Sequence, residues 1–555
     1  MNEKYLSIMY AKRLTLTVTA MLLVGFGLTP LVVMLVSSLN MNGAFSLDRY
    51  LELWTSTRPP QLLGRSVLLA GLSTAITTCL GIPLGILLGK TDLPGRHLFA
   101  AGLTLPLLLP PYFLGLGWFA LLGREGWLAN IFPKAAAVNL SEWLFGLPGC
   151  TLTLATMFLP LMVLLTAALT QSVNPRQEEA ARLYAHWPTV ICRITLPTIL
   201  PGVSFGALLV FMLVLGESTV PMFLRYDVYP VEILTQFAAF YDFDAATAAA
   251  APLALIVLLL LALDWRWRRN AATDLRPPGI SLSIKLGAAK WLWTAGVAAL
   301  LLILLGLPFG SLLFSATPAD VAEAWQRAGD ALGRSLLYAS LGASLLTAFG
   351  FFLGLLWRER TYSARLTEFA ALLLLILPSS VIGIGLIGLW NRSATAWLYA
   401  SPGLLLLGYL IQYAALSGGI VRNALARLPS SLEQAAAVAG AGWWRRLIFI
   451  VLPLSRRGLL TTWLATYLFC LRDTGLAMLV YPPGEDTLPV RIFSLMANGS
   501  FGLVAALCAL LMAAALPPLV ILWITSLWPI PIELAKGLFN KLPVCLWPRR
   551  QERSS

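Results

Sequence analysis

The chain has few side chains in the arrangements that bind metals or act as nucleophiles. It has two histidines, His97 and His186, and six cysteines that lie far apart with no CxxC pair: Cys79, Cys150, Cys192, Cys470, Cys508 and Cys545. Metal sites draw on closely spaced cysteine and histidine ligands, and most of these cysteines fall inside apolar runs. We therefore expect no metal site, no disulfide framework and no catalytic residue.

Residues 85–91 are the closest approach to a nucleotide-binding loop. They read Gly-Ile-Leu-Leu-Gly-Lys-Thr, with three residues between the glycines. A phosphate-binding loop needs four residues there and lies between a strand and a helix, whereas this segment ends a long apolar run. We therefore expect no cofactor in this chain.

Two loops combine carboxylates with alanine. The first loop contains Glu178, Glu179, Ala180 and Ala181, then Ala185, and ends in Ile-Thr-Leu-Pro at Pro197. The second loop contains Glu433, Gln434, Ala435 and Ala436, then Gly440, and ends in Ile-Val-Leu-Pro at Pro453. Alanine favours helix, and acidic residues in a first turn stabilise its positive end. Each loop is therefore predicted to hold a short helix that a partner protein can bind, and an ordinary connector is the alternative.

Three charged residues lie within or near apolar runs. Glu217 and Asp473 are 256 residues apart, the same separation as Pro197 and Pro453, and Arg472 precedes Asp473. Charge inside a membrane is costly unless it is paired or functional. We interpret these residues as lining a translocation pathway or forming a gate, with a structural ion pair or a wetted rim as the alternative.

Composition shows what must position these residues. The 555 residues are 58% hydrophobic and 12% charged, with a mean hydropathy of +0.79. Apolar runs long enough to cross a bilayer as helices predict an all-α, polytopic membrane protein with about twelve spans. The predicted spans are 14–36, 67–88, 98–121, 147–169, 199–220, 245–263, 291–314, 335–356, 369–389, 404–420, 459–479 and 501–523.

Basic residues set the predicted orientation. Of the 39 lysines and arginines, 28 fall on one side of the predicted membrane, 10 fall on the other, and Arg472 lies in a span. Lys and Arg accumulate in cytoplasmic loops, so both chain ends are predicted to be cytoplasmic. This distribution also explains the net charge of +13 without a nucleic-acid partner.

The spans form two similar sets of six. Gly64-Arg65-Ser66 recurs 269 residues later at Gly333-Arg334-Ser335. Pro110, followed by an apolar run ending Gly115-Leu116-Gly117-Trp118, matches Pro378 with Gly385 to Trp390 at an offset of 268. A repeat of this kind predicts a twofold axis along the membrane normal, with the pathway at the interface.

Four domains follow from this repeat. Residues 1–264 and 291–527 are predicted transmembrane domains, 265–290 a cytoplasmic linker, and 528–555 a basic amphipathic tail on the membrane lipid surface.

The two loops resemble the EAA loop of ATP-binding cassette (ABC) importer permeases. In that family EAA is followed by three residues, glycine, nine residues and Ile-x-Leu-Pro. The second loop has Gln434 for the glutamate and Gly440 in place, while the first has Ala185 at the glycine position and is one residue shorter. The resemblance implies that both loops form coupling helices that dock in clefts of ABC ATPase subunits.

The resemblance implies partners and a location as well. We expect two copies of the ATPase, which would bind ATP and Mg²⁺, a periplasmic substrate-binding protein, and the bacterial inner membrane.

Fusion of two permease domains, with the segment Tyr-Pro-Pro-Gly-Glu-Asp-Thr-Leu-Pro-Val-Arg-Ile at 481–492, resembles the ferric-iron permease group. Thiamine, polyamine and phosphonate permeases share this layout and stay alternatives. An ion-coupled secondary transporter would need buried carboxylates or histidines near the bilayer centre, and a membrane-embedded enzyme would need a cluster of such groups. The sequence offers few such carboxylates, since Glu217 and Asp473 lie near span ends, so the secondary transporter is the less favoured alternative, and no cluster for an enzyme is visible.

Overall fold

The computed structural model describes residues 3–41, 44–240, 242–270, 283–359 and 361–527. Helices up to residue 270 are Glu3–Gly27, Thr29–Ser38, Asp48–Thr55, Arg58–Lys90, Arg96–Thr104, Pro106–Leu108 (3₁₀), Pro111–Leu122, Trp127–Asn130 (3₁₀), Lys134–Leu144, Leu147–Gln171, Pro175–Arg182, Trp187–Val190, Ile191–Thr195 (π), Leu196–Leu215, Thr219–Phe223, Tyr229–Ala238 and Phe243–Asn270. The strands Asn40–Met41 and Ala44–Phe45 form an antiparallel pair.

Helices after residue 283 are Gly287–Ala289 (3₁₀), Lys290–Leu301, Leu302–Gly306 (π), Leu307–Phe314, Pro318–Arg358, Tyr362–Ile376, Ser379–Trp390, Ser393–Thr395 (3₁₀), Ala396–Tyr399, Pro402–Ala426, Ser430–Val438, Trp443–Arg446, Leu447–Val451 (π), Leu452–Arg472, Ala477–Val480, Leu488–Asn498 and Phe501–Leu527.

Within the described residues, ten helices are long and apolar enough to cross a membrane, and two bent helix pairs bring the total to twelve. In chain order, spans 1 to 12 are Ala11–Ser38, Arg58–Lys90, Arg96–Leu108 with Pro111–Asn130, Leu147–Gln171, Trp187–Leu215, Phe243–Trp267, Gly287–Phe314, Pro318–Arg358, Tyr362–Ile376 with Ser379–Trp390, Pro402–Ala426, Trp443–Arg472 and Phe501–Leu522. The predicted all-α polytopic fold is confirmed. The predicted tail, and residues 271–282 of the predicted linker, lie outside the described residues.

Spans 3 and 9, each predicted as one apolar span, consist of two helical segments. Their two segments meet at angles of 102° and 104°. The breaks fall at Pro110-Pro111 and at Pro378. Proline has no backbone N–H to donate, and it pushes the residue before it out of the helical conformation. The two prolines that mark the repeat therefore also mark its two bends.

Spans 5 and 11 begin earlier and end earlier than predicted. Each runs through a proline, Pro197 or Pro453, after a π-helical turn in which Leu196 N–H donates to Ile191 O and Leu452 N–H donates to Leu447 O. A π turn has one residue more than an α-helical turn, and it shifts the hydrogen-bond pattern just before the proline, which has no N–H to donate. The helices then end at Leu215 and Arg472, so Glu217 and Asp473 follow the spans.

Span 2 packs closely on span 4 through one stripe of glycines. A Cβ atom added at Gly81, Gly85 or Gly89 would lie 2.5 Å from the side chain of Met162, Thr166 or Thr170, respectively. Small residues four apart let two membrane helices approach at backbone distance. This contact fixes the end of span 2, at Lys90, beside the first loop.

The first span of each half crosses to the other half. A Cβ atom added at Gly117 in span 3 would lie 2.6 Å from the Pro308 carbonyl oxygen in span 7, and one added at Gly385 in span 9 would lie 3.2 Å from the Pro30 carbonyl oxygen in span 1. Span 1 also packs on spans 8 and 9. Gly117 and Gly385 belong to the repeated motif. Each half therefore uses the same motif to contact the first span of the other half.

Candidate functional site: the loop helices and the interface between the halves

Both loops contain the predicted short helix. We call Pro175–Arg182 the first loop helix and Ser430–Val438 the second loop helix. The Asn174 side chain caps the first by accepting a hydrogen bond from Arg176 N (3.2 Å). Corresponding residues of the two helices share a face: Glu179, Ala180, Gln434 and Ala435 are exposed. Leu183 and Val438, at the helix ends, are 79% and 87% exposed.

Glu178 is buried and anchors the first loop helix. Its carboxylate forms an ion pair with Lys90, and neither side chain has any exposed surface. The Thr195 hydroxyl donates to the same carboxylate oxygen at 2.8 Å. Because Lys90 ends span 2 and Thr195 lies in the π turn of span 5, Glu178 ties the loop helix to two spans at once. Lys90 is the lysine of the segment that resembled a phosphate loop.

Glu433 makes the equivalent contact in the second half. The Arg358 guanidinium donates to Glu433 at 2.5 Å, and these side chains are 27% and 29% exposed. Arg358 ends span 8, 268 residues after Lys90. Sequence reasoning found the two carboxylates but missed their partners. The signal was available, since a basic residue ends the same span in each half.

The two loop helices end differently, because the first has Ala185 where the second has Gly440. Gly440 has a φ of +84°, and Ala441 N–H donates to Ala436 O at 2.9 Å, which closes the second loop helix with a left-handed residue. Ala185 takes an ordinary backbone conformation instead. The Arg182 side chain donates to the Ala185 carbonyl at 2.8 Å and lies 5.0 Å from the Trp187 ring centroid.

Arg472 joins the halves. Its guanidinium donates to the carbonyl oxygen of Leu107, at the break in span 3, and lies 4.5 Å from the Phe469 ring centroid. Gly216, 256 residues before Arg472, lies against Pro378, and a Cβ atom added there would be 2.8 Å from the proline ring. The end of span 5 therefore meets the break in span 9, and the end of span 11 meets the break in span 3.

Glu217 and Asp473 act as local caps. Glu217 accepts from Thr219 N at 2.8 Å. Asp473 is buried and accepts from Tyr413 Oη at 2.6 Å and from the N–H groups of Leu476 and Ala477 at 3.2 and 3.0 Å. Glu217 directly follows Gly216, which lies against Pro378 of the other half. The structure thus brings all three predicted residues to the region between the halves.

The repeated Gly-Arg-Ser motif organises the segment 481–492. The Ser335 hydroxyl accepts from Leu488 N at 2.7 Å, and Arg334 pairs with Asp486 at 3.1 Å. In the first half the Ser66 hydroxyl accepts from Tyr229 N at 2.8 Å, and Arg65 lies 3.7 Å from Asp227.

Arg491 strengthens this network in the second half. It pairs with Asp486 at 2.5 Å and with Asp330 at 3.0 Å. Hydrogen bonding to the Asp486 carboxylate raises the pKa of Arg491, which favours its charged form. These contacts attach the segment 481–492 to span 8.

Residues 81–273 match the protein family described as binding-protein-dependent transport system inner membrane component. A protein of Haemophilus influenzae named as a ferric transport system permease is 22% identical over 496 residues, covering 84% of this chain and 77% of the relative. The ferric transport system permease protein FbpB of Actinobacillus pleuropneumoniae is 21% identical over 509 residues, covering 86% and 73%. The molybdenum transport system permease protein ModB of Escherichia coli is 32% identical over 159 residues, covering 28% and 68%.

The twelve spans, with their reciprocal contacts, and these matches define a membrane transport permease. The chain belongs to the family of binding-protein-dependent transport system inner membrane components. It is therefore the permease of an ABC importer and a transport subunit of the inner membrane, as the two EAA-like loops predicted.

Proposed function

We propose that this chain imports ferric iron. The observation that carries the proposal is the extent of the match. Proteins named as ferric permeases align along 84% and 86% of the chain, through both halves. The relatives named for sulfate and 2-aminoethylphosphonate transport are 31% and 30% identical but align along 27% and 25% of it. Thiamine, polyamine and phosphonate are the alternative substrates.

The importer that we propose has three kinds of subunit. A periplasmic binding protein delivers the substrate, and separate ATPase subunits bind ATP and Mg²⁺. Two ATPase copies would match two loop helices, which present the same face on one side of the protein. Exposed Leu183 and Val438 would enter the ATPase clefts, and the asymmetry of basic residues favours a cytoplasmic position for both loops and both chain ends.

Arg472, Glu217 and Asp473 are our candidates for the gate. The Arg472–Leu107 contact joins the end of span 11 to the break in span 3 in the other half, and a rocking of the halves in alternating access would part such a contact. Exchanging Glu217 and Asp473 for their amides tests this role. Transport that is unchanged in both variants would remove them from the pathway.

The first experiment is gentle purification from native membranes, with mass spectrometry of the proteins that co-purify. We expect a P-loop ATPase, and we expect the double variant Leu183→Asp with Val438→Asp to lose it. Tyr362→Asp is the matched control, because Tyr362 is also exposed (77%) but lies outside both loop helices. A complex without an ATPase, or one that the double variant leaves intact, would contradict the docking proposal.

The substrate is tested on the same complex in proteoliposomes with the co-purified binding protein. We expect uptake of radiolabelled ferric iron that depends on ATP. Uptake of thiamine or 2-aminoethylphosphonate in its place would overturn the iron assignment and leave the docking proposal standing.

A further inference from the structure

Span 1 begins beside the anchor of the second loop helix. The Lys12 ammonium pairs with the Glu359 carboxylate at 2.7 Å, and Glu359 directly follows Arg358, which holds Glu433. The helix that contains Lys12 also packs against Trp443–Arg446, which follows the second loop helix. The first span of the first half is thus attached to the loop helix of the second half.

Span 7 begins in the corresponding place in the first half. The Ile284 N–H donates to the Lys90 carbonyl at 2.8 Å, and the Asp92 N–H donates to the Ile284 carbonyl at 3.2 Å. The Asp92 carboxylate accepts from the Leu286 N–H at 2.8 Å. Lys90 is the residue that holds Glu178, so the first span of the second half is attached to the loop helix of the first half.

Apolar packing supports the second of these attachments. Leu286, which precedes span 7, and Leu301, in span 7, pack with Leu88, Leu93 and Leu103 of the first half in one hydrophobic cluster. The segment before span 7 is therefore fixed by side-chain contact as well as by hydrogen bonds.

We propose that Lys12, Glu359 and Asp92 are positioning residues for ATP coupling. Each joins a loop helix to the first span of the opposite half, so one mechanical unit consists of a loop helix, the end of span 2 or 8, and the crossing span. A displacement of either loop helix then moves parts of both halves together. This inference rests on the proposed function, since it needs an ATPase that moves the loop helices.

Charge reversal at the Lys12–Glu359 pair tests the proposal in the reconstituted complex. We expect Lys12→Glu to lower the substrate imported per ATP hydrolysed by about fivefold, the low end of coupling between sites, with ATPase capture retained. Adding Glu359→Lys should restore the ratio. Arg365→Glu is the matched control, because Arg365 is exposed and the described residues give it no ion pair.

Asp92 provides a second test with a conservative variant. Asp92→Ala removes the acceptor for the Leu286 N–H and should lower the same ratio, whereas Asp92→Asn keeps an acceptor oxygen and should restore most of it. A merely structural role would lower the yield of complex and leave uptake per ATP unchanged, and that result would overturn the proposal.

A cross-link tests whether the joint persists through the cycle. With reactive native cysteines replaced by serine, Lys12→Cys and Glu359→Cys are joined by a short bifunctional thiol reagent. We expect transport to continue, because the joined parts move together, and a block by the cross-link would refute the inference. If the unmodified complex recruits no ATPase, the proposed function has failed first. If it transports but the charge reversals leave the ratio unchanged, the inference alone has failed.

Discussion

The Lys90 ammonium group and the Glu178 carboxylate form an ion pair that is closed to solvent on all sides. A buried ion pair gains little net stability over apolar side chains of similar size, because both charges lose their hydration. However, loss of either partner leaves the other charge buried without a counter-ion. The equivalent pair in the second half, Arg358 with Glu433, retains access to water and provides an internal comparison.

Removal of one partner should therefore cost far more in the first half. We expect Lys90→Met to lower the free energy of unfolding by about 3–5 kcal/mol, because Glu178 stays buried without its counter-ion. Arg358→Met should cost about 1 kcal/mol or less. The apparent Tm of each single variant in detergent measures the two losses of stability. Adding Glu178→Leu to Lys90→Met should recover most of the loss, and equal losses in the two halves would contradict this account.

The contact between spans 3 and 7 leaves no room for a methyl group at Gly117. Because the obstacle is the Pro308 backbone carbonyl, Gly117→Ala should separate the crossing span from the opposite half and destabilise by about 1–3 kcal/mol. Gly310 lies on the same short helix as Pro308, and a Cβ atom there meets nothing within 4 Å. Gly310→Ala should be neutral or stabilising. The apparent Tm of each variant measures the effect, and equal Tm values for the two variants would contradict this account.

Tyr413 and Tyr229 are buried tyrosines with opposite hydrogen-bond status. Tyr413→Phe removes the donor to the Asp473 carboxylate and should cost about 1.5–3 kcal/mol. The Tyr229 hydroxyl is buried with no hydrogen-bond partner among the described residues, so Tyr229→Phe should be neutral. Thermal unfolding monitored by tryptophan fluorescence compares them, and a larger loss at Tyr229 would refute the assignment.

The ends of the loop helices should respond differently to alanine and glycine. Gly440→Ala forces a β-carbon into the left-handed region, at a cost of about 1 kcal/mol, and should weaken ATPase capture through the second loop helix. Ala185→Gly changes a residue that has no such requirement and should leave capture intact. Co-purification of the ATPase with each variant is the measurement. Full capture by Gly440→Ala would show that this turn does not position the helix.

The sequence was sufficient for the spans, the repeat and the loop helices, because each depends on local composition or on recurrence. The length of an apolar run predicts a span, and carboxylates before alanines predict a short helix. Hydropathy does not reveal a bend, so the sequence predicts spans 3 and 9 only as apolar segments, although Pro110 and Pro378 mark the repeat there. The ion-pair partners of Glu178 and Glu433, Lys90 and Arg358, lie in other helices. Pairing between residues so far apart in the sequence leaves no local pattern.

The crossing of the first spans has a consequence for biogenesis. Span 1 is inserted first, yet Glu359, which receives Lys12, is synthesised about 350 residues later. At about 5–20 residues per second, span 1 spends roughly 17 to 70 seconds in lipid before that surface exists. Each half, expressed alone, would lack the contacts that its own first span makes with the opposite half. One continuous chain supplies the two halves together and in equal number.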